Sequence, residues 1–299
     1  MRNIQESVKN FYNAQAQKFS WTRKKNWSEF FYIKEQVEKY LKISEKIKIL
    51  ELWCWDGRLY RYLIEYFPQE RIEYVWVDIS EWLIQIAKTE LQKEDNCHTE
   101  FSSASQRSKE IPDQVLDDKK ISLEWKINKL ENTQKNHQVK FVVSDMLSFL
   151  EKQEQQNFDM VIAVASFQHI STKWERLLIM KNIYRILNYD GVVLMFNWSF
   201  SKWFFKKYTK NIIKSLLIWI LSLWTKAIND IYIPWKNNNS KKVFYRYYHI
   251  FFLYELRYLF KKSWFIIQED CYINKKWEKS ISRIDSRNSI FLWKKNVLK

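Results

Sequence analysis

Short apolar runs alternate along this chain with stretches whose apolar residues recur every three to four positions. IKILELWCW, IEYVWVDIS, VKFVVSDM, FDMVIAVASF and GVVLMFNW have the length and continuous hydrophobicity of strands buried on both faces. DGRLYRYLIEYF, EWLIQIAKTELQK and STKWERLLIMKNIYRIL carry helical spacing, as do the basic and aromatic segments of the first 42 residues. YHIFFLYELRYLFKKSW predicts a further helix, and FIIQEDCYI and SIFLWKK predict two closing strands. Strands alternating with helices imply an α/β fold: a mostly parallel seven-stranded sheet, helices on both faces, and an antiparallel final strand. The two closing strands suggest an antiparallel hairpin added at the sheet edge. Two stretches break the alternation. Residues 93–138 are polar with little periodicity, and 200–242 are basic and apolar. The expected organisation is one domain over 1–299, with a helical cap at 1–42 and insertions at 93–138 and 200–242.

With 46% apolar residues among 299, the chain buries a real core. Its glycine and tryptophan counts are abnormal: Gly 2 and Trp 16. An average chain of this length has roughly 21 glycines. A fold of this size needs them wherever the backbone turns left-handed or approaches another segment closely. The two counts together resemble a normal glycine content plus a few true tryptophans. This suggests UGA codons translated as Trp where the source reads Gly; the alternative is a truly Trp-rich protein. The net charge of +16 favours a polyanionic partner, either nucleic acid or an anionic membrane surface. A lysine-rich proteome is the plainer explanation. Cys54, Cys97 and Cys271 are few and far apart, which suggests neither a disulfide frame nor a metal site and points to the cytoplasm. MRNIQESVKNFYNAQ is too polar for a signal peptide. IIKSLLIWILSLW at 212–224 is interrupted by Lys214 and too short to span a bilayer. It reads as a buried helix or as an interfacial one, with peripheral membrane contact through 203–228.

The first strand leads into Glu51-Leu-Trp53-Cys54-Trp55-Asp-Gly57-Arg58 and then a helix. With glycine at 53 and 55 this is E-x-G-x-G-x-G, the glycine-rich first turn of nucleoside-binding open sheets. The second strand holds Tyr74-Val-Trp76-Val-Asp78, and glycine at 76 makes it Y-V-G-V-D. Asp78 stands about 20 residues past the turn, where a carboxylate takes ribose hydroxyls. Trp264 falls at a helix C-cap and Trp293 near the end of the last strand, both places for glycine. Taken literally, indoles at 53 and 55 fill the ligand pocket.

ELWCWDGR, VWVDIS, VVSDM and VASFQHIS…RILNYDGVVLMF resemble the class I S-adenosylmethionine-dependent methyltransferases. An NAD-type Rossmann domain competes, but its G-x-G-x-x-G spacing fits less well because position 58 is Arg. The resemblance implies S-adenosylmethionine as cofactor. Glu51 and the turn Trp53, Cys54, Trp55 and Gly57 hold its methionine part, Asp78 with Ile79 its ribose, and Asp145 with Met146 its adenine. Ala165 to His169 then lie beside the methyl group. The segment FYNAQAQKFSWTRKKNW, with Phe19, Thr22-Arg23 and Trp27, is similar to the start of the tRNA wobble-uridine carboxymethyl methyltransferases. Pro234-Trp235, RYYHIF and SRNSIF look like later blocks of that family.

This narrower resemblance implies tRNA as partner, a small activator subunit as a further one, and a uridine carboxylate as methyl acceptor. Such a carboxylate is ionised at neutral pH and needs a cationic pocket rather than a base. Arg23, Arg246, His249 and Arg287 are the candidates, with His169 shaping the site and Tyr247 and Tyr248 stacking a base. Lys24, Lys25 and the lysines of 202–242 would meet phosphates. Surface charge and core packing explain each of these residues in plainer terms. Two other functions stay open: a small-molecule or lipid (quinone-like) methyltransferase with 203–228 as an apolar lid, and a non-catalytic binding module of the same fold.

Overall fold

The computed structural model describes residues 2–22, 27–101, 139–222, 227–236, 243–274, 278–280, 282–284 and 286–295. The chain opens with α1 (Arg2–Trp21) and α2 (Glu29–Leu41). It then alternates through β1 (Ile47–Leu52), α3 (Arg58–Ile64), β2 (Ile72–Asp78), α4 (Glu81–Phe101), β3 (Val139–Val143) and α5 (Met146–Glu151). β4 (Phe158–Val164), α6 (Lys173–Ile186) and β5 (Leu187–Trp198) follow, then α7 (Lys202–Leu221), β6 (Asp230–Lys236) and β7 (Val243–His249). α8 (Leu253–Lys262), β8 (Phe265–Asn274), the short β9 (Lys279–Ser280) and β10 (Ser286–Lys295) complete it.

The main sheet has the order β3-β2-β1-β4-β5-β10-β8-β9. β3, β2, β1, β4 and β5 are mutually parallel, and β10 runs antiparallel to both β5 and β8. The expected mostly parallel sheet with an antiparallel final strand is therefore present, with eight strands rather than the expected seven because the short β9 adds an edge. β10 does not sit at the edge, however. It is threaded between β5 and β8, so the closing hairpin joins the sheet through its second strand.

Strand alternation sends successive apolar side chains to two cores. Leu50, Leu52, Val75, Val77, Val161 and Ala163 face one, under α1, α5, α6 and α8. Ile47, Ile49, Tyr74, Met160, Ile162 and Leu194 face the other, under α2, α3 and α4. Each such side chain contributes about 1.5–3 kcal/mol on burial, so the central strands are the most firmly held elements.

Helix starts follow local chemistry. Thr172 Oγ1 accepts from the Glu175 amide (3.1 Å) at α6, and the Asp145 carboxylate accepts from the Ser148 amide (2.9 Å) at α5.

Three sequence expectations are corrected. YHIFF does not begin a helix: Tyr248 and His249 end β7, and α8 starts only at Leu253. The 200–242 stretch does not end as a unit at 242: its described residues form α7 and β6, and β6 pairs with β7 beyond it, around Phe200, Phe204, Ile231, Ile233, Tyr248 and Ile250. The 93–138 region begins inside α4, which continues to Phe101; 102–138 lie outside the described residues. Among the described residues, no helix is long and apolar enough to cross a membrane.

Candidate active site

In a parallel sheet the strand ends converge on a crevice at their C-terminal edge, and the sequence-predicted cofactor residues gather there. Between β1 and α3 the backbone is left-handed at every second position: Trp53 (φ 60°), Trp55 (φ 60°) and Gly57 (φ 73°). For an L-residue with a Cβ this conformation costs about 1–2 kcal/mol. The turn is nonetheless well anchored. The Trp53 and Cys54 amides both donate to the Val77 carbonyl (2.6 and 3.1 Å), and the Gly57 amide donates to the Cys54 carbonyl (3.0 Å). The Trp55 amide donates to Asp78 Oδ2 (3.0 Å), while Asp78 Oδ1 accepts from the Ser80 amide (2.8 Å).

The indoles sit where the backbone makes a hollow. Trp55 stacks on Phe19 of α1 at 4.3 Å, and Trp53 stacks on His169 at 5.0 Å. Trp76 lies in β2 against Gly57, so close that a Cβ at 57 would fall 2.6 Å from its ring. The indole N–H groups of Trp53, Trp76 and Trp293 are buried without a hydrogen-bond partner. An unsatisfied buried donor costs about 1–3 kcal/mol. Trp264, just past α8, is left-handed as well (φ 63°). Trp293 flanks a register shift in β10.

Three buried carboxylates surround the turn. Glu51 is pushed up to about 8 by burial, against a hydrogen bond from the Tyr74 hydroxyl (3.0 Å). Asp78 is raised to about 7 by burial, against the Ser80 and Trp55 amides. Asp56 accepts from Ser20 Oγ (2.7 Å) and from Arg58 Nε (2.7 Å). Ser20, Asp56 and Arg58 were not singled out from the sequence; only the structure joins α1 to this turn. Ile79 is buried behind Asp78. At the next strand end the Ser144 amide donates to the Asp78 carbonyl (2.9 Å), which brings Asp145 and the buried Met146 beside β2.

Past β4, Ala165 is left-handed (φ 50°) and leads into the short turn Phe167–His169. His169 is fully buried. Its Nδ1 lies 2.9 Å from the Tyr247 carbonyl and its Nε2 3.2 Å from the Tyr12 hydroxyl. A carbonyl only accepts, so Nδ1 carries the proton and Nε2 accepts from Tyr12. Burial drives the imidazole down to about 3, so it is neutral at physiological pH.

β7 distributes its side chains to two sides. Arg246 and Tyr248 face the His169 side: Tyr248 lies 4.5 Å from the His169 ring, and the Arg246 guanidinium lies over Phe11, Trp235 and Tyr248 at 4.8–5.2 Å. Arg246 Nε is buried with no hydrogen-bond partner. Tyr247 and His249 face the other way, into a cavity of about 650 Å³ that is also lined by Asp230 and Glu255. There His249 Nδ1 pairs with Asp230 at 2.7 Å. His249 is thus not brought together with His169 and Arg246. Arg23 lies outside the described residues; of Arg287 only the backbone, in β10, is described. Ser166 and Gln168, inside the predicted stretch 165–169, and Asn197, which sequence reasoning missed, place buried side-chain atoms without hydrogen-bond partners at the ends of β4 and β5.

A methyltransferase-domain family model matches residues 120–195. Among solved structures, the chain is similar to an S-adenosylmethionine-dependent methyltransferase from Methanosarcina mazei: TM-score 0.54, 17% identity, covering 85% of this chain and 94% of that one. It is also similar to such a methyltransferase from Clostridium acetobutylicum: TM-score 0.52, 11% identity, 90% of each chain. A third is the 1,6-didemethyltoxoflavin-N1-methyltransferase of Burkholderia thailandensis, solved with 1,6-didemethyltoxoflavin and S-adenosylhomocysteine: TM-score 0.51, 11% identity, 98% of this chain and 88% of that one. No curated protein sequence matches the chain. The sheet order, the crevice and these likenesses agree: the chain has the fold of the class I S-adenosylmethionine-dependent methyltransferases.

Proposed function

We propose that this chain is an S-adenosylmethionine-dependent methyltransferase acting on a carboxymethyl-type wobble uridine of tRNA, and that glycine stands at positions 53, 55, 76, 264 and 293 of the natural product. The alternating left-handed turn at 53, 55 and 57, tied to Asp78, carries the cofactor reading. Backbone and carboxylates fit S-adenosylmethionine. The indoles of Trp53 and Trp55 do not, because they occupy the hollow against Phe19 and His169. With glycine at both positions, Glu51 and the turn hold the methionine part, Asp78 the ribose, and Asp145 with Met146 the adenine. The buried carboxylates suit a cationic ligand.

When bound, S-adenosylmethionine supplies an activated methyl on a sulfonium. The chain's work is then alignment and exclusion of water. Arg246, with its unpartnered buried Nε, is the donor for an acceptor carboxylate. A carboxylate needs no general base, and His169, neutral with both nitrogens engaged, fits a positioning role. The net charge of +16 supports a polyanionic acceptor. A second reading, a lipid or quinone-like acceptor, draws on the exposed apolar side chains of α7.

The test is methyl transfer from labelled cofactor by the Trp53→Gly/Trp55→Gly/Trp76→Gly variant. Label in bulk tRNA supports the proposal. Label in a lipid extract or a small acid, with none in tRNA, overturns the acceptor assignment. UGG rather than UGA codons at 53, 55 and 76 in the gene overturn the glycine assignment.

A further inference from the structure

We propose that α7 docks this protein onto an anionic lipid bilayer, lying flat in its interface. The inference does not depend on the methyl acceptor. α7 spans 20 residues and is kinked at Tyr208 (φ −118°, ψ 21°), and the apolar face of its second half lies on the segment after the kink. Its inner face is fixed to the domain. Phe204 is buried with Ile231 and Ile233, Tyr208 and Ile212 pack beside them, and Asn211 Nδ2 donates to the Tyr232 carbonyl (2.9 Å).

An ordinary surface helix turns polar residues outward. Here the outward face of the second half is apolar: Ile213, Leu216, Leu217, Ile220 and Leu221 are 39–81% exposed, at helical spacing. Phe205 adds to it at 43%. None of these six is a tryptophan, so the face does not depend on how the tryptophan codons are read.

The charge on the same helix selects the occupant. Lys202, Lys206, Lys207, Lys210 and Lys214 are all exposed, and α7 carries no acidic residue. Lysines flanking an exposed apolar stripe complement anionic headgroups above acyl chains. α7 reaches 20 residues but, with five lysines, does not combine that length with the apolarity needed to cross the bilayer, which leaves the interfacial position.

The experiment is co-sedimentation of the full chain with phosphatidylcholine vesicles and with mixed phosphatidylcholine–phosphatidylglycerol vesicles. The expected result is binding to the mixed vesicles that weakens with salt. Leu217→Ser/Ile220→Ser should weaken it about tenfold or more. Lys210→Glu and Lys214→Glu should each weaken it about fivefold. These side chains are exposed, and circular dichroism verifies that the variants stay folded. Three outcomes overturn the proposal: no binding to the mixed vesicles, equal binding by the serine variant, or a dimer in light scattering that the serine variant dissolves while vesicles bind neither form. Because the readout is partition rather than methyl transfer, it succeeds or fails separately from the acceptor assignment.

Discussion

The two halves of the crevice treat their side chains in opposite ways. On the β1–β2 side the backbone dictates one residue type and the sequence supplies another. Left-handed Trp53 and Trp55 are strained by their own Cβ atoms, and the indole N–H groups of Trp53 and Trp76 find no acceptor. On the β4–β7 side only Ala165 is left-handed, and the aromatic and imidazole side chains fit their surroundings. His169 spends both ring nitrogens on Tyr247 and Tyr12, and Tyr248 stacks on Trp198 at 4.9 Å. What this side lacks is a partner for Arg246 Nε and for buried side-chain atoms of Ser166, Gln168 and Asn197. The first half is strained at its turn, whereas the second leaves buried polar atoms unpaired.

The largest effect should break or confirm the first half. Trp53→Gly/Trp55→Gly should gain S-adenosylmethionine affinity by at least about a thousandfold, about 4 kcal/mol, in isothermal titration. Equal affinity in the parent chain would remove the distinction between the halves.

Arg246→Met tests the other half. It should lower kcat/KM about ten- to hundredfold, 1.5–3 kcal/mol, and leave cofactor affinity unchanged. Loss of cofactor binding instead would place Arg246 in the wrong half.

The pH dependence separates the two halves by sign. Asp78, raised to about 7, and Glu51, raised to about 8, keep protons in the fold that the unfolded chain has already released. Their contribution to stability is therefore lost as pH rises from the ordinary carboxylate range through those values. His169, lowered from 6.5 to about 3, acts in the opposite sense: its contribution is present above 6.5 and is lost as pH falls toward 3. Two carboxylates outweigh one imidazole. Ligand-free stability should fall from about pH 5 to about pH 8, at about 1.4 kcal/mol per pH unit for each net proton. Asp78→Asn should flatten that slope in urea melts; an unchanged slope would assign the dependence elsewhere.

The smallest effect lies away from the crevice. At left-handed, half-exposed Trp264, glycine should be more stabilising than alanine by about 1 kcal/mol. Equality of the two variants in urea denaturation would show that the conformation costs nothing there.

Most of the sheet was legible because its strands are continuous apolar runs, and IKILEL and FDMVIAV admit few other readings. The turn was legible through an absence: the spacing of 53, 55 and 57 implied glycine, and the left-handed φ values fall on those three positions. β7 was not legible. VFYRYYH mixes aromatic and charged residues without clean alternation, so it merged with the helix that follows it. That merger hid which of Arg246 and His249 faces His169, since only strand geometry separates neighbours by side. The Ser20–Asp56–Arg58 cluster joins segments 36 residues apart, and no local pattern reports such a contact.

The position of β10 constrains synthesis on the ribosome. β5 receives its partner on that side only from residues 286–295, made after every other described strand. Until then five parallel strands present a bare β5 edge, from Val192 to Trp198, while α7, the β6–β7 hairpin, α8 and β8 are still being translated. An open apolar edge of that kind invites pairing with another nascent chain. Slow translation between β5 and β10 should therefore be the condition under which this protein aggregates most readily.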